Sequence, residues 1–157
     1  MCIRDRAYLS PVIDFYNDEI LSYSISESPC MKMVMDMLGG LHRRFPCAYN
    51  MVLHSDQGWQ YQMLTYQEGL KKYGIIQSMS RKGNCLDNSK TENLFSKMKK
   101  EMFYGHEKEF RSFAELKKAI DEYIIWYNNE RIVTRLGGAP VCNRSIVPVP
   151  MLCYSSI

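Results

Sequence analysis

Long hydrophobic runs are missing from this 157-residue sequence. Nothing approaches the ~18 consecutive apolar residues that cross a bilayer, and no charged-then-apolar secretory leader opens the chain. A soluble, cytoplasmic protein with no membrane partner is expected. Metal-binding cysteine patterns are missing too. The six cysteines (Cys2, Cys30, Cys47, Cys85, Cys142, Cys153) contain no C-x-x-C pair, and only three histidines could join them. That excludes the usual zinc spacings and leaves free thiols as the default. An excess of charge of one sign is lacking as well. A formal charge of +3 does not argue for nucleic-acid binding until the basic residues are placed. What is present is 46% hydrophobic residues, enough to build the core of one domain.

The residues from Tyr8 alternate in hydrophobicity with a period of two, pause at Asn17-Asp18, and resume from Ile20. This predicts an antiparallel hairpin over 8–14 and 20–26, with Pro11 marking an edge or a bulge. Ser28-Pro29 reads as an N-cap and first helical position, and Gly39-Gly40 as the stop. Helical spacing places Met31, Val34, Met35 and Leu38 on the apolar face of that helix and leaves Met33 and Met37 off it. Methionines in such a pattern are core filler before they are soft-metal ligands.

A buried strand is expected over 49–56, ending in His54-Ser55-Asp56. A helix over 65–73, stopped by Gly74, and a strand over 75–79 follow. Residues 80–88 have loop chemistry. A helix then starts near Ser89, with Leu94, Phe95, Met98 and Met102 toward a core and Glu92, Ser96 and Lys99 on another face. Ser112 and Glu115 form a capping box for a long helix with Leu116, Ile120, Tyr123, Ile124 and Tyr127 as its stripe. Residues 136–157 form a Gly/Pro/Val-rich tail without a period, and there is no internal repeat. The mixture of a hairpin with α/β crossovers predicts an α/β sheet flanked by helices.

Two carboxylates stand out. Asp56 ends a strand before Gln57-Gly58, so its side chain is expected beside a tight, open turn where metal ions bind well. Glu92 stands three residues after Ser89, which is capping-box spacing, but it also shares a helical face with Lys99. With 17 acidic residues in 157, the separation of Asp56 from Glu92 proves little alone. The flanking residues are more specific. "LHSDQGWQY", "SMSRKGNCLDNSKTENLFSKMKKEMFYG" and "YIIWYNNERI" together resemble, in order and spacing, the catalytic core of DDE-type insertion-sequence transposases related to retroviral integrases. The resemblance covers roughly residues 8–144.

The resemblance implies a ribonuclease-H-like mixed sheet flanked by helices, in which three carboxylates bind two Mg²⁺ (or Mn²⁺) ions. Such a pair, about 3.5–4 Å apart, activates the attacking oxygen and stabilises the leaving oxygen of an in-line displacement at phosphorus. Carboxylates suit these ions because they are hard oxygen donors. By matching motif, Asp56 takes the place of the second carboxylate and Glu92 the third, and Lys99 that of the basic residue that approaches DNA phosphate. The implied partners are element-end and target DNA, bound by a homo-multimer, with no small-molecule substrate. Arg81 and Lys82, in the loop before Glu92, are phosphate-contact candidates or an ordinary solvated pair.

The first carboxylate is the departure. The family carries it in a Thr-Asp pair on an initial central strand, and only "MCIRDR" precedes Ala7 here. Those six residues resemble the translation of an adapter used in DNA library preparation, so residues 1–6 are read as non-native and 7–135 as an incomplete core. The first central strand is expected to be missing, leaving its neighbours unpaired and the chain inactive. Asp5 lies too close to Tyr8 to take the role. Asp14 reads as structural or near the site, and Asp87 as a loop residue. The functional expectation is a transposase core that cleaves and joins DNA strands in its intact parent. The alternative is a non-catalytic DNA-binding or assembly-interfering fragment. His54 either shapes the turn at Asp56 or is a satisfied strand-end histidine. Trp59 and Tyr61 stack on bases or pack in the core, and Arg131 contacts DNA or a carboxylate.

Overall fold

A computed structural model describes residues 7–47, 50–80, 89–106, 109–133, 139–140 and 151–153. The hairpin forms as its alternation requires. Strand β1 is Tyr8–Asp14 and β2 is Ile20–Ser26, antiparallel from the Tyr8–Ser26 pair to the Ile13–Ile20 pair. The register slips between Val12 and Ile13, so the irregularity lies beside Pro11 and not at it. β1 is an interior strand, contrary to the edge position that the proline suggests. Asp18 makes the turn with a positive φ of 65°, a conformation that Asp tolerates better than most residues.

Helix α1, Met31–Arg44, runs straight through Gly39-Gly40. It begins after Cys30, so Ser28 and Pro29 precede it and do not form its first turn. The glycines serve packing. A Cβ on Gly40 would sit 2.5 Å from Ser22 Oγ, and that hydroxyl donates a 2.7 Å bond to the Met37 carbonyl. α1 therefore lies against β2 too closely for a side chain at 40, and a double glycine that reads as a stop is a contact. The buried face is Met33, Val34, Met37, Leu38 and Leu41, with Met31 and Met35 only half-buried at its margin. The expected face was thus rotated, because the helix packs across the sheet with the Met33/Met37/Leu41 row central.

Strand β3, Val52–Ser55, is followed by the short α2, Trp59–Gln62, by α3, Leu64–Lys72, and by β4, Ile76–Met79, parallel to β3. Helix α4 is Ser89–Met98, and it passes into a π-helical turn, Lys99–Phe103. Helix α5, Phe113–Asn129, buries the five stripe residues expected of it, and Ser112 caps it by accepting the Glu115 N–H at 3.2 Å. Ile132–Val133 and Ala139–Pro140 pair as a small separate ribbon, β5 and β6.

The last strand, β7, is Met151–Cys153, and its place is the main departure from expectation. The sheet order is β2-β1-β7-β3-β4, with β7 antiparallel to β1 and parallel to β3. The central position expected to be vacant is therefore filled from the carboxyl-terminal tail. The physical reason is that β1 and β3 are interior strands, and buried backbone N–H and C=O groups left without partners are costly.

Two cores cover the two faces of this sheet. Val12, Leu21 and Leu53 pack with α1 and α3, through Leu38, Leu41, Tyr66 and Leu70. Leu9, Ile13 and Ile20 pack with α4 and α5, through Leu94, Phe95, Met98, Ile120 and Tyr127. Each fully buried aliphatic side chain contributes about 1.5–3 kcal/mol. The outer edge of β2 is covered by polar contacts. Asn128 accepts the Ile20 N–H at 3.0 Å and donates to its carbonyl at 2.8 Å, while Arg44 reaches the Leu21 carbonyl and pairs with the buried Glu19. These contacts cover the Ile20–Leu21 end of that edge against strand addition. Among the described residues, no helix is long and apolar enough to cross a membrane.

The two adjacent glycines make opposite predictions. A Cβ at Gly39 meets only the end of the Arg43 side chain, at 3.9 Å. Gly39→Ala should therefore raise stability by roughly 0.5–1 kcal/mol through helix propensity. Gly40→Ala should lower it by about 1–3 kcal/mol by overpacking Ser22. Urea unfolding of the two variants checks this, and equal effects would contradict the packing role of Gly40.

Candidate active site

Asp56 follows directly on β3 and is half-buried. Its Oδ1 accepts the Gly58 N–H at 2.8 Å, closing an Asx turn. A Cβ on Gly58 would lie 2.9 Å from that oxygen, so the turn is open to the carboxylate only because residue 58 has no side chain. The second carboxylate oxygen has no bonding partner among the described residues. His54 is satisfied on both sides, with Nδ1 2.9 Å from Ser78 Oγ and Nε2 3.1 Å from Ser80 Oγ. It clamps the end of β3 to β4 and its exit. Ser80 adds bonds from its N–H (2.9 Å) and Oγ (3.2 Å) to the Ser55 carbonyl, and Gln57 donates to the Ser80 carbonyl at 3.0 Å. The strand end bearing Asp56 is thus fastened to Ser80, at the exit of β4.

Beside this turn, Tyr61 is fully buried against Tyr66, ring centroids 5.3 Å apart, whereas Trp59 is 52% exposed. Tyr61 is core. Trp59 is not, because it opens a four-residue helix whose other side supplies Gln60 and Tyr61 to the interior.

Glu92 lies in the first turn of α4, exposed, and has no hydrogen-bond or ion-pair partner among the described residues. No Ser89–Glu92 bond forms, so the capping-box geometry is not made here. The same helix buries Thr91, Leu94, Phe95 and Met98, which turns Glu92 and Ser96 outward. Lys90, which sequence reasoning passed over, anchors the start of α4. It bonds the Phe15 carbonyl, lies 2.8 Å from Asp18 Oδ1, and sits 4.5 Å over the Phe15 ring. Its only advance signal was the lone Asp in the β1–β2 turn.

Asp14 is buried and accepts the Tyr16 N–H at 2.8 Å, which builds the hairpin turn. Through β7 it is level with Leu53, at the start of β3 and away from Asp56. Its role is structural. Asp5, Arg81, Lys82 and Asp87 lie outside the described residues.

Lys99 begins the π-helical turn and is half-buried, its carbonyl accepting the Tyr104 N–H at 2.7 Å. That turn is held from below by Glu101, which accepts from Arg131 at 2.8 and 3.2 Å and from the Tyr123 hydroxyl at 2.8 Å. Arg131 is therefore a carboxylate partner. Its guanidinium, with help from the Tyr123 hydroxyl, holds the Glu101 carboxyl below its usual range against the opposing effect of burial. Burial, then the Glu101 charge, pushes the Tyr123 phenol upward. Tyr23 is raised to about 12 by burial and by its bond to Asp121.

Asp56 and Glu92 both offer hard oxygen atoms suited to a divalent cation. Among the described residues, however, no hydrogen bond or ion pair joins them, and no group of three His, Cys, Asp or Glu side chains could hold a metal ion. The described donors alone do not complete a two-ion site.

Two family models, both described as integrase core domain, match residues 2–85 and 92–145. A protein named for the transposase of insertion sequence element IS150 (InsK) in Escherichia coli K12 is 53% identical over 85% of this chain and 46% of its own length. A transposase-like protein of Haemophilus influenzae is 46% identical over 90% of this chain and 64% of its own. The chain thus spans about half to two-thirds of the length of these relatives. Among solved structures, the HTLV-2 integrase catalytic core domain in complex with magnesium superposes with a TM-score of 0.61. It covers 86% of this chain and 82% of that one at 13% identity, a likeness of fold. The sheet and its helical layers are ribonuclease-H-like.

The Glu101 network sets a pH dependence on both sides. A glutamate whose folded pKa lies below its ordinary value of 4.5 adds stability that is present above that value and lost as pH falls through the depressed one. A raised tyrosine adds stability that is present below its ordinary value of 10.0 and lost as pH climbs above it. Glu101 is partly solvated, so its effect is modest. Urea midpoints measured across pH should show Glu101→Gln flattening the acid limb and Tyr123→Phe the alkaline limb. Unchanged limbs would contradict the network.

Proposed function

The chain belongs to the integrase core domain family, and from that premise we propose that it is the catalytic core of an insertion-sequence DNA transposase. Its intact parent cleaves DNA at element ends and joins the 3′-hydroxyls to target DNA in a reaction dependent on divalent metal, Mg²⁺ or Mn²⁺. The observation that carries this reading is that the two carboxylates at the motif-matched positions keep oxygens unused among the described residues. Asp56 stands at a strand end held open by Gly58, and Glu92 projects from the first turn of a helix that buries its opposite side through Thr91, Leu94, Phe95 and Met98. A structural carboxylate of this domain looks different. Glu19 is buried and paired to Arg44.

In this reading Asp56 and Glu92 are the metal-binding catalytic residues, and two ions are expected in the complete site. Lys99, Arg81 and Lys82 contact DNA phosphate, and Trp59 offers an exposed ring for a base beside the turn. The working form is a homo-multimer on paired DNA ends. His54 and Ser80 are positioning residues, since they hold the strand end without facing solvent chemistry.

A second reading is that the 157-residue chain binds DNA or interferes with assembly without catalysing. The two readings separate in one experiment. The chain, and the chain extended by a Thr-Asp strand ahead of Ala7, are assayed for Mg²⁺-dependent cleavage of terminal inverted-repeat DNA. Activity is expected only in the extended form, and equal activity in both would sink the account of the missing carboxylate.

In the active form, Asp56→Asn and Glu92→Gln should each reduce cleavage by more than the roughly 100-fold that loss of an outer-shell partner costs at metal sites. DNA binding should persist. Lys99→Ala should instead weaken binding and lower the slope of affinity against salt by about one unit.

A further inference from the structure

Five glutamines occur in this chain, and four of them use their side-chain amides in the same way. Gln57 donates to the Ser80 carbonyl at 3.0 Å, Gln62 to that of Gln57 at 2.6 Å, Gln67 to that of Gln62 at 3.3 Å and Gln77 to that of Tyr61 at 2.7 Å. Gln60 is the exception. It is 4% exposed, the one buried glutamine of the five, and its amide makes no hydrogen bond among the described residues. A buried amide without a partner costs stability. A residue that keeps one needs a reason beyond packing.

The direction of that amide supplies the reason. A Cβ on Gly58 would sit 2.9 Å from Asp56 Oδ1, 3.2 Å from Gln60 Oε1 and 3.3 Å from Tyr61 Cδ2. Two acceptor oxygens, one from a carboxylate and one from an amide, thus border the same small volume. Among the described residues, the Gly58 N–H is the donor bonded to Oδ1, and nothing is bonded to Oε1. Gly58 is not required there by its backbone, since its φ of −54° and ψ of 143° suit any residue. What glycine contributes is room. Asp56 and Gly58 are both half-buried, so that room is within reach of solvent.

The chemistry of the two donors names the occupant. Oxygens of like partial charge repel one another, and an amide oxygen, like a carboxylate, is an ordinary ligand of hard divalent cations. We propose that Gln60 is a second protein donor to the cation that Asp56 binds, its amide oxygen serving the ion at the open face of Gly58. An amide adds a ligand without adding a negative charge, which suits a site that DNA phosphate must approach. The proposal rests on the reading of Asp56 as a metal-binding residue, and the experiment separates the two.

The test is a titration of the 157-residue chain with Mn²⁺, read as paramagnetic broadening of backbone amide signals, with a urea midpoint for each variant. No DNA cleavage is measured. Mn²⁺ should broaden Gly58 and Tyr61 selectively, and Asp56→Asn should abolish this. If it does not, the reading of Asp56 fails and the proposal with it. With Asp56 intact, Gln60→Met should weaken Mn²⁺ binding by about tenfold or more, as loss of a supporting group does at metal sites. Its urea midpoint should not fall, because an unpaired buried amide has been removed. Gln60→Glu keeps an oxygen in place and should bind Mn²⁺ more tightly than the parent chain. Gly58→Ala fills the shared volume and should also weaken binding, which keeps the test decisive if Gln60→Met does not fold. Asp56-dependent broadening that Gln60→Met and Gly58→Ala leave unchanged overturns the proposal while sparing the reading of Asp56. Weaker binding by Gln60→Glu means that the amide acts through its NH₂ group and overturns it too, as does an absence of selective broadening in the parent chain.

Discussion

The fold depends on satisfying the backbone between β1 and β3. These strands point in opposite directions, each has apolar side chains committed to a helical layer, and neither borders solvent along the sheet. Water cannot serve their inward N–H and C=O groups, so a strand must. Three residues from the far end of the chain meet that need at Val12–Asp14 and Leu53–Ser55. Both layers then have a continuous sheet to pack on, and β3 has a fixed end from which Asp56 can project.

The rest of the site follows from how each layer is fastened to that sheet. On one face, the missing side chain at Gly40 lets α1 sink onto Ser22, which sets the depth of the Met37, Leu38 and Leu41 row. On the other, α4 and α5 bury Leu94, Phe95, Ile120 and Tyr127. That burial is what turns Glu92 outward, because residues on a helix cannot all face one way. The polar fastenings are few and specific. His54 and Ser80 bind the Asp56 end of β3 to β4, Lys90 binds α4 to the hairpin turn, and Glu101 with Arg131 and Tyr123 binds the π-helical turn to α5.

Several of these features were legible from local pattern. The alternation from Tyr8 to Ser26 specified both hairpin strands to the residue, since a half-buried strand must repeat every two residues. The α5 stripe was equally clear, being long, uninterrupted and started by a capping box. The errors have a common cause. Gly39-Gly40 read as a stop because glycine is a poor helix former, yet its lack of a side chain was being used against a strand distant in sequence. The face of α1 was misjudged because methionine recurs at every second position from Met31 to Met37, so the spacing of the apolar residues alone does not fix which of them face the sheet. Of the two roles open to Trp59, stacking or core packing, the core is excluded because a four-residue helix buries only one side.

For the candidate site, Asp56 was recoverable from the sequence as the end of an apolar strand before a Gln-Gly turn, and Glu92 as an acid in the first turn of a helix with a well-defined apolar face. Those assignments need only neighbours along the chain. Sequence alone thus determined the hairpin strands, the apolar stripe of α5 with its Ser112 cap, and the residue types of the proposed site. Tertiary structure alone decided that Arg131 serves Glu101, that Asp14 builds a turn, and that the tail supplies the central strand. Each of these is a pairing between residues far apart in the chain. Nothing local encodes such a pairing, because a backbone hydrogen bond or a buried ion pair is specified by whichever partner the packed layers leave within reach.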